Sequence, residues 1–367
     1  MELKTTPLID EHKRLGAKLA PFGGWLMPIQ YAGIIAEHAW TRTNVSLFDI
    51  CHMGEFIFSG DAHKSGFDRI TTLDPVAIPV GSCHYGFLLT DTGGVADDLI
   101  IYRLGESEWM VVVNAATIES DEERFRSLLL PGVSFKNVSS STAKLDLQGP
   151  RSLEVLKNII GQDVARLGYY KFDRFEILGE KIIVSRTGYT GELGYELYIT
   201  SEKALELWRL LLSNGLVKPA GLGARDVLRL EMCYPLYGQD LSVDYTPIEA
   251  GLERFIDTGR KFMGQDWLFD RGRPYKAMIY FKAESRRSPR HNYKITQGGE
   301  EIGVVTSGTF SPSLSCGIGM GYVNRPCPVG TRIAVSENDV NIEAVVTEKP
   351  FYRNGSLKKS EGIHANS

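Results

Sequence analysis

No apolar run in the chain approaches the ~18 residues that a membrane helix needs. The first fifteen residues, MELKTTPLIDEHKRL, lack the apolar core of a secretion signal. Glu2, Asp10 and Glu11 argue against a transit peptide. A cytoplasmic protein of bacterial type is therefore expected, or a mitochondrial-matrix protein if the chain is a processed one, with no membrane partner. There is also no excess of positive charge. Lys and Arg number 41 against 45 Asp and Glu, a formal net charge of -4. That leaves no basic field for nucleic acid. Cysteine is sparse and unpaired in sequence. Cys51, Cys83, Cys233, Cys316 and Cys327 form no C-x-x-C, which points to free thiols in a reducing compartment. Seven histidines without an H-x-x-x-H spacing give no zinc site, and no metal is expected. A phosphate-binding G-x-x-x-x-G-K-[ST] and a G-x-S-x-G elbow are both missing. The G-x-G-x-G at 317–321 is not a dinucleotide fingerprint and reads as close strand packing.

What is present is an ordinary globular composition, 43% hydrophobic and 23% charged over 367 residues, enough for two or three domains. Caps and stripes predict helices after Thr6-Pro7, after Ser120, after Pro150 and after Ser201. Ser120 with Glu123 has the spacing of a capping box. Strands are expected at 143–148, 173–178, 181–186 and 194–199, with helices after the first and last. That is a ferredoxin-like order. A similar order precedes it: strand 54–60, helix 62–70, strands 84–90, 95–103 and 109–113, then the Ser120 helix. The pair is a pseudo-repeat of architecture rather than of sequence. From Lys276 onward the helical stripes stop, and short strands at 276–281, 293–297, 301–306, 318–323, 331–335 and 341–347 suggest a small β-barrel or sandwich. The class is α+β.

Four segments carry polar groups in apolar surroundings. In ADDLIIY, at 96–102, two carboxylates open an apolar strand. On a strand Asp97 and Asp98 point to opposite faces, so at most one faces a given pocket. Asn114 ends the next apolar strand, where its amide could fix a ligand or cap the following helix. SRTGYTGELGYE, at 185–196, packs three glycines, two tyrosines and two glutamates into a loop ahead of a strand. In GLGARDVLRLE, at 221–231, Arg225 and Arg229 stand at i,i+4, with a solvated face of Asp226, Arg229 and Glu231 as the bland alternative. Together these segments hold neither a nucleophile–base pair nor a metal set. They hold what a polar heteroaromatic ligand needs.

These segments resemble the T-protein family of the glycine cleavage system, the tetrahydrofolate-dependent aminomethyltransferases. The likeness runs from about residue 6 to 353. It includes FGGWLMPIQY at 22–31, FDICHMGE at 48–55, VVNAATIE at 112–119, YPLYGQD at 234–240, GVVTSGTFSPSL at 303–314 and PFYR at 350–353. It implies a three-domain disc around a folate pocket, made of two ferredoxin-like α+β units and a C-terminal β-barrel. Residues 1–50 with 140–245 would form a discontinuous folate-binding domain and 51–139 an inserted one. Residues 246–275 would connect to a barrel at 276–353, with 354–367 a frayed tail. The implied reaction moves a methylene from the aminomethyl-lipoyl arm of a partner, the H-protein, to tetrahydrofolate with release of ammonia. By resemblance, Asp98 and Asn114 would be catalytic. Glu196, Arg225 and Arg353 would bind the cosubstrate, and Tyr85, Tyr102, Tyr189, Tyr237 and Met53 would line its slot.

Two departures from the family pattern stand out. Ala96 replaces a larger aliphatic residue. Asn292 stands where glycine is common, and asparagine tolerates a left-handed backbone. Two alternatives share the scaffold: a folate-dependent demethylase of a small methyl donor, and a non-enzymatic folate-binding factor for iron–sulfur maintenance. Against the latter, Lys261 takes the position of that family's motif cysteine. Arg286, Arg287 and Arg290 cluster beside His291, a patch suited to an acidic partner or a polyglutamate tail.

Overall fold

The computed structural model describes residues 3–269, 272, 274 and 276–357. The chain is α+β, with its C-terminal part closed into a six-stranded barrel. Two larger sheets precede the barrel and share one topology. The first runs Cys83–Leu89, Val95–Gly105, Glu108–Val113, Gly54–Gly60, Val133–Asn137. The second runs Phe172–Ile177, Glu180–Ser185, Gly194–Thr200, Thr142–Gln148, and then Val45–Asp49 before Val217–Pro219. Numbered within each unit, both sheets have the order 2-3-4-1-5. The second differs in that Val45–Asp49, from the N-terminal region, is inserted between its strands 1 and 5. The expected architectural repeat is therefore present in the topology.

Alternation along the strands explains how each sheet uses its two faces. In the first, Phe56, Phe58, Leu99, Ile101, Val111 and Val113 pack with Phe125 of the helix Ile118–Leu128. In the second, Ala143, Leu145 and Leu147 pack with Leu207, Trp208 and Leu211 of the helix Ala204–Leu212. The opposite faces of the two sheets meet through Tyr102, Met110, Val112, Phe172 and Tyr198, and the Tyr198 hydroxyl donates to that of Tyr102 at 3.0 Å. The candidate site is built on these two meeting faces.

The barrel strands are Ala277–Ala283, Cys316–Val323, Glu300–Ser311, Lys294–Gln297, Arg332–Glu337 and Val340–Val346, in spatial order. They enclose Phe281, Ile295, Val305, Val335 and Ala344. The G-x-G-x-G is indeed close packing: a Cβ on Gly319 would lie 2.4 Å from the Phe281 ring. Asn292 has φ +68°, the left-handed backbone that its side chain tolerates. The helix Leu222–Glu231 ties the barrel to the second sheet. Arg229 donates to Ser307 at 2.8 Å and to Asp240 at 2.6 Å, and Glu231 accepts from Ser311 and Ser313.

Several expectations are corrected. The Ser120 capping box does not form, because the helix begins at Ile118 and the Ser120 hydroxyl donates back to Thr117 O. The helix expected over 62–70 is two short ones, parted by Gly66 at φ +75°. Arg229 and Glu231 are not a solvated face: they are buried among the partners just named. Residues 354–357 are held, with Ser356 N and Oγ both donating to Glu192 Oε2. The rest of the expected tail lies outside the described residues.

Candidate active site

Asp98 and Asp97 part company as the strand geometry requires. Asp98 shares the slot face of Val95–Gly105 with Ile100 and Tyr102, whereas Asp97 is fully buried on the helix side. Asp98 accepts from the Tyr85 hydroxyl at 2.7 Å and from Asn114 Nδ2 at 2.7 Å. Burial, and then the charge of Asp97, push its carboxyl up to about 7. Asn114 does not cap the helix that follows. Its Nδ2 also reaches Asp97 Oδ1 at 2.8 Å and Asp98 O at 3.0 Å.

Four residues along the same strand face stands Tyr102, about 13 Å away at the usual strand rise. Its hydroxyl donates to Ser185 Oγ at 3.2 Å and to Glu196 Oε2 at 3.4 Å. Glu196 lies directly across the ladder from both Asp146 and Ser185. Like charges opposed in this way repel, and two cations compensate. Lys144 Nζ is 2.9 Å from Glu196 Oε1, and Arg225 pairs with Asp146. Burial alone would raise Glu196, yet Lys144 and the Thr187 hydroxyl, 2.5 Å from Oε2, hold it below the usual carboxylate range. Asp146 is pushed the other way, to about 6, by burial.

The SRTGYTGELGYE loop can reach this floor because it lacks side chains at two points. A Cβ on Gly188 or Gly194 would lie 2.2 Å or 2.1 Å from the Gln148 amide. Tyr189 spans the gap between the two ends. Its ring lies 5.0 Å from the Arg225 guanidinium and stacks on Tyr234, and its hydroxyl donates to Pro235 O. Tyr237 is half-buried near Asp97 and Asp98. Met53 packs beside Tyr102, with its sulfur 3.5 Å from Lys144 Nζ. Tyr85, Asp98 and Asn114 thus make one hydrogen-bonded group, and Tyr102, Glu196, Lys144, Met53, Asp146, Arg225 and Tyr189 a second, joined by the strand that carries both Asp98 and Tyr102. The structure does not bring Arg353 into either group: its exposed guanidinium pairs with Glu348 at 2.9 Å.

Sequence reasoning missed Lys144, Asp146, Glu55 and His52. Glu55 is 1% exposed with neither carboxyl oxygen hydrogen-bonded, and burial pushes it up to about 8. His52 is buried and held neutral, pushed down to about 4. The only signal was position, since both sit in FDICHMGE. Among the described residues no group of three or more His, Cys, Asp or Glu is placed to hold a metal ion. No helix there is long and apolar enough to cross a membrane.

Comparison with known proteins identifies the family. Residues 8–260 match the GCVT N-terminal domain, and residues 276–353 match the glycine cleavage T-protein C-terminal barrel domain. The chain belongs to the glycine cleavage T-protein family. It is 40% identical over 362 residues to an aminomethyltransferase of Thermotoga neapolitana, covering 97% of this chain and 99% of that protein. To that of Halothermothrix orenii it is 41% identical over 358 residues, covering 95% and 100%. The crystal structure of glycine cleavage system aminomethyltransferase T from Bartonella henselae superposes with a TM-score of 0.91 at 31% identity, covering 96% of this chain and 99% of that one. The chain is therefore a one-carbon transferase, an aminomethyltransferase of the glycine cleavage system.

Proposed function

We propose that the slot takes tetrahydrofolate and that the aminomethyl group arrives on the lipoyl arm of H-protein, in a bacterial cytoplasm. The observation that carries this reading is the pairing of two carboxylates at opposite ends of one aromatic-walled slot: Asp98 at one end, and Glu196 at the other with its charge kept. The residues fit a flat heterocycle bearing N–H donors. Glu196 has lone pairs left beyond those engaged by Lys144, Thr187 and Tyr102, and can accept a paired contact from a ring N–H and an adjacent amine. Tyr189, Met53 and Tyr102 supply the apolar faces.

Folate supplies the acceptor nitrogens: N5 and N10 take the methylene, the C–S and C–NH2 bonds break, and the two released protons complete ammonia and the dihydrolipoyl thiol. The chain binds and orients. Asp98 places its carboxylate beside the reacting nitrogens and stabilises positive charge as the amine leaves. Tyr85 and Asn114 hold that carboxylate in one rotamer. Arg225, tied to Asp146, closes the wall under Tyr189. We further propose the division into a discontinuous first domain, an insert at 51–139 and the barrel. The test is ammonia release from aminomethylated H-protein with and without tetrahydrofolate. A strongly folate-dependent rate is expected. Folate-independent release, or none with folate bound, would overturn the assignment of substrates.

A further inference from the structure

The side chain of Asn114 poses a choice. Its NH2 and its carbonyl differ chemically, and only one can face the slot. Nδ2 lies 2.8 Å from Asp97 Oδ1, 2.7 Å from Asp98 Oδ1 and 3.0 Å from Asp98 O, so its two hydrogens are spent on acidic oxygens. Among the described residues Oδ1 receives no hydrogen bond, and it is not one of the buried polar atoms. Behind the amide, Asp97 Oδ2 accepts from Asn114 N at 3.0 Å and from the Thr117 hydroxyl at 2.8 Å. The carboxyl of Asp121, from the first turn of the helix Ile118–Leu128, is the acidic neighbour whose charge, after burial, most raises Asp97. Asp97 and Asp121 are 0% and 2% exposed, and Asp121 Oδ2 is buried without a hydrogen-bond donor among the described residues. Two neighbouring carboxyls away from water must share a proton.

We infer that the buried Asp97–Asp121 pair is a positioning device that locks Asn114 with its carbonyl Oδ1 toward the slot, where it accepts an N–H of the departing amino group. The inference rests on the aminomethyl-transfer reading and adds to it a role for two acids that touch no substrate. It gives the two aspartates of the ADD segment different tasks. Asp98 faces the reacting atoms, and Asp97 sets the orientation of the amide beside it. The charged and titratable groups facing the pair are Asp98 on its own strand, Arg124 on the helix, and Tyr237 from the segment after Leu222–Glu231.

The experiment compares Asp97→Asn, Asp121→Asn and Asp121→Ala in ammonia release, folate affinity and thermal melting. An amide at position 97 sets an NH2 against Asn114 Nδ2 or against the Asn114 N–H and Thr117 hydroxyl, whichever way it turns. Asp97→Asn should lose ~100-fold in kcat at unchanged folate affinity. The acid limb of its kcat profile should move to lower pH, because the charge that raises Asp98 is gone. At position 121 an amide imitates the protonated acid, donating to Asp97. Asp121→Ala should therefore lower kcat, and Asp121→Asn should recover most of it. Wild-type kcat and pH profile in Asp97→Asn would overturn the inference. So would equal loss in both Asp121 variants, which decide the matter if Asp97→Asn fails to fold. An inactive wild-type enzyme would instead overturn the underlying substrate reading.

Discussion

Lys144 Nζ lies 2.9 Å from Glu196 Oε1, and both side chains are almost fully buried. Removing one partner from such a pair strands the other without solvent, which costs about 3–5 kcal/mol of stability. Glu196→Ala should accordingly lower the melting temperature and, separately, weaken folate binding by ~1–3 kcal/mol through a lost polar contact. The double variant Glu196→Gln with Lys144→Met separates the two effects. Its melting temperature should recover while its folate affinity does not. A folate Kd unchanged in both variants would remove Glu196 from the binding site.

Tyr85 donates to Asp98 at 2.7 Å and so favours its charged form. Tyr85→Phe removes that donor, which raises the carboxyl further above about 7. The acid limb of the kcat profile should shift to higher pH by roughly one unit. A shift the other way, or none, would mean that the limb belongs to another group.

Glu55 gives a prediction about stability. In the folded protein its carboxyl holds its proton up to about 8, whereas the unfolded chain loses it near ~4.3. Between those values the unfolded state binds fewer protons than the folded one, so stability falls as pH rises. Glu55→Gln keeps the shape and cannot ionise. Its melting temperature should gain on that of the wild type at pH 8 relative to pH 5. Parallel curves across that range would show that Glu55 does not carry the effect.

Arg286, Arg287 and Arg290 are exposed at the edge of the barrel, with Arg286 lying 4.9 Å over the Phe310 ring. If this patch steers an acidic H-protein, the triple Arg→Ala variant should show a raised KM for H-protein at low salt. The difference should close as salt screens the wild type. Equal KM values at every salt concentration would exclude the patch.

The sequence was legible wherever alternation or punctuation was clean. All six barrel strands lie within a few residues of their expected places, between glycine and proline breaks. The opposite faces of Asp97 and Asp98 follow from strand period alone. The strand Val45–Asp49 escaped notice because it is buried at every position and shows no alternation. Lys144 and Asp146 escaped because a charge on a strand ordinarily reads as solvent-facing. Their partners Glu196 and Arg225 lie 52 and 79 residues further along the chain, where no local pattern can show them. Asn114 was open between capping and ligand contact, and the deciding acids come from a neighbouring strand. The family resemblance put Arg353 with the site residues, but its guanidinium pairs with the local Glu348.

The account divides the slot into a reacting end at Asp98 and a holding end at Glu196. The most direct test is Asp98→Ala, with folate affinity measured by titration calorimetry and turnover by ammonia release. Loss of ~100-fold or more in turnover, with folate affinity retained, is the predicted result. Turnover at the wild-type level, or loss of folate binding in step with turnover, would contradict the assignment of Asp98 to the reacting end.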